Sequence, residues 1–432
     1  MRITRATKPL KGEITVPGDK SISHRSIMFG ALAEGDTRVR GFLDSADSAS
    51  TMECFRKMGV EIIREEESLI VKGRGLRGLL EPEGDLYCGN SGTTARLISG
   101  ILSGQAFSTK LTGDPSLSKR PMKRVMEPLT SLGAHISSEN SDGRLPLIIN
   151  PGELRGGTAE IKVSSAQVKS AILLSGLYAS SETTVIEPSL SRNHTELMLS
   201  AFGADVTKGT PENPKASIRP GAVLKGLDIE VPGDISSAAY FIGAALTVPG
   251  SEVLLKNVGI NPTRDGILKV FAEMGGDISI ENERLSSGER TADLLVRYSP
   301  SLKGVTIGGS LIPSLIDELP LIAVVASAAS GETVIKDASE LRVKESDRIK
   351  LTVDNLCAMG CDAEALPDGM VIRGGKPLHH AVIETAKDHR IAMSFSIAAL
   401  FSGSVKPVDI RDSACVGISY PGFYEDLDRM MR

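Results

Sequence analysis

The sequence predicts an α/β protein of two lobes, an inside-out α/β barrel in which buried helices lie inside and sheets lie outside. Three observations predict this fold. The chain has 432 residues, more than the roughly 250–300 that one hydrophobic core usually holds. One short motif recurs six times at intervals of 66 to 78 residues. Six stretches rich in Ala, Ser and Leu carry few charges, which is typical of helices buried on all sides.

The recurring motif is Leu-(Lys/Arg)-Gly followed by an alternating stretch, and it marks the start of each unit. The first and fourth copies match best, since both lead into Val-Pro-Gly-Asp, at 16–19 and 231–234. This match indicates that the chain is a doubled set of three units, so we expect three units in each lobe. The copies begin at Leu10, Leu76, Leu154, Leu224 and Leu302, with a degenerate sixth at Leu378.

Every unit has the same predicted order, βαβαββ. A short strand such as 14–16 leads through a polar turn into an apolar helix, and a second strand and a more amphipathic helix follow before a hairpin. The second helix ends in an apolar residue plus Gly, which suits a left-handed helix cap. The apolar helices are predicted at 26–33, 94–102, 168–179, 238–246, 319–329 and 391–401. The capping glycines are Gly59, Gly133, Gly203, Gly275 and Gly360.

Composition excludes several classes of protein. A net charge of −5, no Trp and 4% aromatic residues argue against a nucleic-acid binder. No run approaches the roughly 18 apolar residues of a membrane span, and the first residues lack the apolar segment of a signal peptide. Five cysteines in a long chain suggest reduced thiols, so we expect a cytoplasmic protein. Cys357 and Cys361 lack a second pair of ligands, and core packing explains them better than zinc.

The turn before the first apolar helix carries unusual chemistry, with Lys20, Ser21 and Arg25 inside Pro-Gly-Asp-Lys-Ser-Ile-Ser-His-Arg. Backbone N–H groups and the helix dipole favour an anion at such a position. The alternative is a capped helix with a solvated basic end. A second turn, Gly-Asn-Ser-Gly-Thr-Thr at 89–94, contains Asn90 and Gly92. It is either another anion nest or an ordinary helix cap, and it lacks the Lys and the spacing of a P-loop.

Other turns add charged side chains in both halves of the chain. In the first half, Arg120 lies in a basic segment stiffened by two prolines, where a solvated face is the alternative. Ser164, Ser165 and Gln167 open the third apolar helix, and Arg192 lies at a helix start, where its charge opposes the dipole. The second half contributes Asp317, Lys344, Glu345, Arg348 and Arg390.

If these turns meet, the site holds seven cations and two carboxylates. That number suits two anionic substrates, and Asp317 and Glu345 suit proton transfer. The cations are Lys20, Arg25, Arg120, Arg192, Lys344, Arg348 and Arg390. A non-enzymatic repeat scaffold that binds partner proteins is the alternative, although scaffolds usually bind along a concave face of varied residues.

These motifs, in this order, resemble those of the EPSP synthases, 3-phosphoshikimate 1-carboxyvinyltransferases, over residues 8–424. The resemblance rests on the two motifs above together with Lys-Arg-Pro-Met at 119–122, Leu-Arg-Val-Lys-Glu-Ser-Asp-Arg at 341–348 and Asp-His-Arg-Ile-Ala-Met at 388–393. It implies a lobe at 18–232 and a discontinuous lobe at 1–17 plus 233–432, which close on substrate. It also implies transfer of the enolpyruvyl group of phosphoenolpyruvate to the 5-hydroxyl of shikimate 3-phosphate, by a monomer without metal or cofactor.

The resemblance also assigns roles to residues. Asp317 would be the base for the 5-hydroxyl, with Glu345 and Lys20 handling the methylene proton. The residues implied for shikimate 3-phosphate are Lys20, Ser21, Arg25, Ser164, Ser165, Gln167, Arg192, Asp317 and Lys344. Those implied for phosphoenolpyruvate are Lys20, Asn90, Gly92, Arg120, Gln167, Arg348 and Arg390.

Three departures indicate the class II-like branch of the family. Ala166 separates the serine pair from Gln167, Ile418 replaces a late Lys, and Glu340 replaces an Asn. Because Gly92 is retained, the resemblance implies competitive inhibition by glyphosate. The alternative enzyme, UDP-N-acetylglucosamine enolpyruvyl transferase, has a Cys in the loop at 112–120, and this loop has none.

Overall fold

A computed structural model describes the whole chain, residues 1–432. Its twelve α-helices are α1 Lys20–Leu32, α2 Ala46–Lys57, α3 Gly92–Leu102, α4 Lys123–Ser131, α5 Ala166–Gly176, α6 His194–Ala201, α7 Ile235–Thr247, α8 Gly266–Glu273, α9 Leu319–Ala328, α10 Arg348–Ala358, α11 His389–Leu400 and α12 Phe423–Met430. Odd-numbered helices are almost wholly buried, as α7 is along its entire length, and they alternate with more exposed ones.

Twenty-three short strands complete the fold. They are β1 Arg2–Ile3, β2 Lys11–Ile14, β3 Asp36–Arg40, β4 Ile62–Arg64, β5 Ser68–Lys72, β6 Leu86–Tyr87, β7 Thr109–Thr112, β8 His135–Ser138, β9 Leu147–Asn150, β10 Gly157–Glu160, β11 Thr183–Ile186, β12 Val206–Thr207, β13 Lys215–Ile218, β14 Asp228–Glu230, β15 Glu252–Gly259, β16 Asp277–Ser286, β17 Glu289–Arg297, β18 Thr306–Ile307, β19 Glu332–Ile335, β20 Asp362–Leu366, β21 Gly369–Arg373, β22 Val382–Ile383 and β23 Val408–Ile410.

The chain divides into two compact units. The N-terminal unit comprises Gly18–Pro232 and Leu285–Glu289, and the C-terminal unit comprises Met1–Pro17, Gly233–Arg284 and Arg290–Arg432. Each unit has its own hydrophobic core and three sheets. The sheets of the N-terminal unit have the strand orders β14-β3-β5-β4, β6-β7-β9-β8 and β10-β11-β13-β12. Those of the C-terminal unit are β16-β17-β15-β2, β18-β19-β21-β20 and β1-β23-β22.

Two strands belong to a different unit from the helix that follows them. β2 precedes α1 in the chain, yet it pairs in parallel with β15 in the C-terminal unit. β14 precedes α7, yet it pairs in parallel with β3 in the N-terminal unit. The matched Val-Pro-Gly-Asp segments lie directly after these two strands.

The repeat order predicted from the sequence is confirmed in five units, and the sixth differs. Its sheet has three strands, because no hairpin follows α12 and the N-terminal strand β1 pairs antiparallel with β23 instead. The apolar helices are confirmed, but most begin earlier than predicted. α1 begins at Lys20 because Asp19 caps it, so Lys20, Ser21 and Arg25 lie on the helix and not in a preceding turn.

The glycines after the second helices adopt the predicted left-handed conformation. Gly59, Gly133, Gly203, Gly275 and Gly360 all have φ between +83° and +102°. None of the helices is both long and apolar enough to cross a membrane. Cys361 is buried as the core interpretation requires, whereas Cys357 is exposed, so that interpretation was wrong for Cys357.

Candidate active site

The predicted polar turns lie at the N-termini of the buried helices. Asp19, Ser91, Ser165, Asp234 and Asp388 each accept a backbone N–H bond as the cap of α1, α3, α5, α7 and α11. Ordinary capping therefore accounts for these five side chains. It does not account for the charged residues beside them, which form one group in each unit.

In the N-terminal unit, Lys20 faces a carboxylate. Its Nζ atom lies 3.2 Å from Oδ2 of Asp47, in the first turn of α2, and both side chains are mostly buried. A solvated basic helix end, the alternative at this position, does not fit this geometry. His24 on the same helix lies 2.7 Å from Thr51 Oγ1, and burial lowers its pKa to about 3, so it is a neutral packing residue.

Arg25 is buried and is fixed by three hydrogen bonds. Its Nε donates to Thr195 Oγ1 at 2.7 Å, Nη2 to Ser170 Oγ at 2.9 Å and Nη1 to the Ser21 carbonyl at 2.9 Å. Burial lowers the pKa of Arg25 to about 10, with Glu196 offsetting part of the effect. Arg25 therefore remains a cation at neutral pH, held in one orientation.

The start of α3 holds two guanidinium groups beside Gly92. A Cβ atom on Gly92 would lie 2.8 Å from Arg96 Nη1 and 3.4 Å from Arg120 Nη1. Arg120 Nη2 donates to Asn90 Oδ1 at 2.6 Å, and Asn90 Nδ2 donates to Asp114 Oδ2 at 2.6 Å. Asn90, Gly92 and Arg120 are thus one local cluster, and the bare glycine leaves the space that the arginines occupy.

Gln167 joins this cluster from α5. Its Oε1 accepts a hydrogen bond from Arg96 Nη1 at 2.5 Å, and its Nε2 donates to Thr93 Oγ1 at 3.0 Å. Arg96 was missed as a site residue, although it lies four residues after Gly92 and so on the same face of α3.

The two serines before Gln167 differ in their bonding. Ser164 Oγ donates to the Ser189 carbonyl at 2.7 Å and accepts from the Ser189 N–H at 3.0 Å. Ser165 Oγ makes only a long 3.5 Å cap contact with the Val168 N–H. The Ser165 hydroxyl is therefore the more available of the two.

In the C-terminal unit, Arg348 is surrounded by three carboxylates. Its Nε lies 2.8 Å from Asp388 Oδ2, Nη1 lies 3.3 Å from Asp317 Oδ1, and Nη2 lies 2.5 Å from Glu345 Oε2. Its side chain is 1% exposed. Burial alone would lower the pKa of Arg348, but Asp388, Glu345 and Asp317 raise it above its usual value. Arg348 therefore orients Asp317 and Glu345.

Asp317 remains partly accessible among these cations. Its Oδ1 lies 3.4 Å from Lys344 Nζ, its Oδ2 lies 4.0 Å from Arg264 Nη1, and its side chain is 14% exposed. Arg264 was not predicted as a site residue. It donates to Asp234 Oδ1 at 3.0 Å and to Ser236 Oγ at 2.7 Å, which links the cap of α7 to Asp317.

Arg390, in the first turn of α11, lies next to Glu318. Its Nη1 is 3.4 Å from Glu318 Oε1, an oxygen that also accepts a hydrogen bond from Ser236. Burial would lower the pKa of Arg390, but the Asp317 carboxylate, Tyr240 and Glu318 raise it. Glu318 directly follows Asp317 in the sequence, and its partner on α11 is 72 residues away.

Two groups of predicted residues are therefore organised clusters. The N-terminal unit brings Asn90, Gly92, Arg120 and Gln167 together, and it fixes Lys20 and Arg25 along α1. The C-terminal unit brings Asp317, Lys344, Glu345 and Arg348 together, with Arg390 beside Glu318. Two of the residues that depart from the family pattern lie in short 3-10 helices. Ile418 is the last residue of one, and Glu340 lies in another.

Comparison with known proteins gives consistent matches over nearly the whole chain. A family model described as EPSP synthase (3-phosphoshikimate 1-carboxyvinyltransferase) matches residues 4–427. A 3-phosphoshikimate 1-carboxyvinyltransferase of Syntrophotalea carbinolica is 52% identical over 417 residues, covering 96% of this chain and 95% of that protein. One from Bacillus velezensis is 49% identical over 424 residues and covers 98% of both.

Solved structures give the same result. An EPSP synthase from Acinetobacter baumannii superposes with a TM-score of 0.89 at 46% identity, covering 99% of this chain and 97% of that one. The enolpyruvyl transferase NikO from Streptomyces tendae superposes with a TM-score of 0.77 at 16% identity, covering 99% and 96%. The second likeness, at so low an identity, shows a shared fold alone.

Proposed function

The chain belongs to the EPSP synthase family, and from that premise we propose how its residues carry out the family's reaction. The reaction transfers the enolpyruvyl group of phosphoenolpyruvate to the 5-hydroxyl of shikimate 3-phosphate and releases phosphate. The observation that carries the proposal is Asp317, a carboxylate oriented by Lys344 and Arg348 and still 14% exposed. A fixed, accessible carboxylate is suited to accept a hydroxyl proton.

In this proposal, shikimate 3-phosphate is bound by the residues that the family resemblance implies. Arg25 and Arg192 supply charge for the phosphate, and Lys20, Ser21 and Gln167 supply further donors. Ser165 contacts the ligand in preference to Ser164, because both hydrogen-bonding roles of Ser164 are used by Ser189. Asp317 and Lys344 bind the hydroxyl side of the ring.

Phosphoenolpyruvate is bound by the remaining cations. Arg120 and Arg390 contact its carboxylate and phosphate, since paired N–H groups of arginine match both anions. Asn90, Gln167 and Lys20 add donors, and Gly92 leaves the space in which the guanidinium groups of Arg96 and Arg120 lie. Arg348 completes the set proposed for phosphoenolpyruvate, where it contributes positive charge and also orients the carboxylates of Asp317 and Glu345.

The proton transfers balance over addition and elimination. Asp317 accepts the 5-hydroxyl proton as the oxygen bonds to C2 of phosphoenolpyruvate, and Glu345 with Lys20 delivers a proton to C3. A tetrahedral intermediate results. Elimination then returns a proton from C3 to the same groups as the bond between C2 and the phosphate oxygen breaks, and Asp317 gives the proton it accepted to the departing phosphate. The cation cluster stabilises charge on the departing phosphate.

We also propose that the protein is a monomer in the cytoplasm and needs no cofactor. All five cysteines are free thiols, which a reducing compartment maintains. Sedimentation of the purified chain, with and without both substrates, tests the monomer.

Acceptor-dependent phosphate release tests the function. Phosphoenolpyruvate is supplied with shikimate 3-phosphate, with UDP-N-acetylglucosamine, or alone. We expect release with shikimate 3-phosphate only. Release that depends on UDP-N-acetylglucosamine, or none with either acceptor, would contradict the proposal.

A further inference from the structure

Lys169 is a buried lysine close in the sequence to Gln167, one of the residues proposed to bind shikimate 3-phosphate. The proposed function gives Lys169 no role. Lys169 is on α5, two residues after Gln167, and its side chain is 1% exposed. Its Nζ lies 2.9 Å from Glu187 Oε2, 2.8 Å from Glu196 Oε1 and 3.1 Å from the Ser191 carbonyl. Burial alone would lower the pKa of Lys169, but Glu196 and Glu187 raise it, so the lysine is charged.

This buried charge cluster fixes the backbone just before Arg192. Lys169 Nζ donates to the Ser191 carbonyl, and Glu187 Oε2 accepts from the Ser191 N–H at 3.3 Å. Both backbone groups of Ser191 are therefore bound by two side chains that bind each other. The conformation of the segment that presents Arg192 depends on this arrangement.

The same cluster is connected to Arg25. Ser170, the residue after Lys169, accepts from Arg25 Nη2 at 2.9 Å, and its hydroxyl lies 2.6 Å from Thr195 Oγ1. Thr195 accepts from Arg25 Nε. Glu196 follows Thr195 on α6, and its charge favours the cationic form of Arg25. Lys169 and Ser170 are adjacent on α5. Lys169 binds the backbone just before Arg192, and Ser170 binds Arg25 directly and contacts Thr195 on α6.

We propose that Lys169 is a positioning residue for shikimate 3-phosphate, which fixes Arg192 through Ser191 and Arg25 through the Glu196 side of α6. The inference rests on the proposed function, because it assumes that these arginines bind the 3-phosphate. A role in stability alone is a poor explanation of the cluster. Replacing a buried ion pair by apolar residues is often neutral or stabilising, so three buried charges are a costly way to stabilise a fold.

Two variants separate positioning from charge and from folding. Lys169→Met removes the amine and keeps the approximate volume, but it leaves two buried glutamates without their cation. Lys169→Met combined with Glu196→Gln removes one positive and one negative charge, so the net charge of the cluster is unchanged. Lys215→Met is the matched control, since Lys215 is an exposed lysine of the same unit.

The measurements are the KM for each substrate, kcat, and the binding of shikimate 3-phosphate by calorimetry, all well below the melting temperature. We expect both Lys169 variants to raise the KM and Kd for shikimate 3-phosphate by about 10-fold or more, the effect of losing a charge-assisted hydrogen bond. The KM for phosphoenolpyruvate should change by less than about twofold, and the control should match the wild type.

Three outcomes would overturn the inference, and a fourth would instead refute the proposed function. Unchanged shikimate 3-phosphate binding in a folded variant would overturn the inference, as would recovery of binding in the charge-balanced double variant, which would make the effect one of charge. Failure of both variants to fold would also overturn it and assign Lys169 to stability. Failure of the wild type to bind shikimate 3-phosphate would instead refute the proposed function.

Discussion

Gly92→Ala places one methyl group among the proposed phosphoenolpyruvate residues. The new Cβ would lie 2.8 Å from Arg96 Nη1, where an ordinary contact begins at 3.4 Å, so this nitrogen must retreat by roughly 0.6 Å. The same nitrogen binds Gln167 Oε1. Arg120 Nη1, at 3.4 Å from the new Cβ, is at the limit of normal contact.

The expected changes in stability and in the KM for phosphoenolpyruvate depend on which atoms the new methyl group displaces. A guanidinium end is flexible, and Gly92 begins α3 without a positive φ, so the fold should change in stability by less than about 1 kcal/mol. A hydrogen bond from a charged donor contributes about 1.5–3 kcal/mol. Losing half of the smaller value or more corresponds to a KM for phosphoenolpyruvate several-fold to about 10-fold higher.

Steady-state phosphate release at saturating shikimate 3-phosphate measures this KM, and thermal unfolding checks the fold. Gly422→Ala is the matched control, because its nearest atom to a new Cβ is 4.0 Å away. We expect Gly92→Ala to raise the KM for phosphoenolpyruvate more than the KM for shikimate 3-phosphate, because Arg120 is proposed to bind phosphoenolpyruvate alone whereas Gln167 is proposed to bind both. An unaltered KM for phosphoenolpyruvate would refute the reasoning that Gly92 makes room for Arg96 and Arg120.

Three further predictions concern the base, an inhibitor and acid stability. Asp317→Asn keeps the shape of the side chain but cannot accept the hydroxyl proton, so kcat should fall about 10²- to 10⁴-fold in a folded protein; full activity would exclude Asp317 as the base. Glyphosate should inhibit competitively with phosphoenolpyruvate because Gly92 is retained, and unchanged activity at millimolar glyphosate would contradict this. Although burial raises the pKa of Asp388, Arg348 holds it below its usual value. The stability it contributes is present above its unfolded pKa, about 4, and is lost as pH falls through the folded value. In urea unfolding, the advantage of wild type over Asp388→Asn should therefore shrink below about pH 4, and a constant difference down to pH 2 would argue against it.

The fold could be predicted because its signals are local and repeated. Apolar helices and capping glycines such as Gly59 and Gly133 recur at one period, and each reflects the conformation of a single segment. The start of α1 was misplaced because Asp19, and not a residue beyond Arg25, supplies the cap. The place of β1 in the sixth sheet was missed because β1 pairs with a strand more than 400 residues away.

The sequence predicts the charged residues that the proposal assigns to the ligands, but it does not predict the residues that hold them in place. Lys20, Gly92 and Asp317 occur in recognisable local motifs. Lys169 and Arg264 act on partners that lie far away in the sequence, 18 to 53 residues from them. No local pattern reports such a pairing, since one charged residue in a helix is also compatible with a solvated face.

Product analysis by proton NMR tests the central claim most directly. Phosphoenolpyruvate and shikimate 3-phosphate are incubated with the protein, and phosphate is measured in the same sample. We predict a pair of vinyl proton signals from an enolpyruvyl ether at O5 of shikimate 3-phosphate, in an amount equal to the phosphate released. Formation of pyruvate with unmodified shikimate 3-phosphate, or no consumption of phosphoenolpyruvate, would contradict the account.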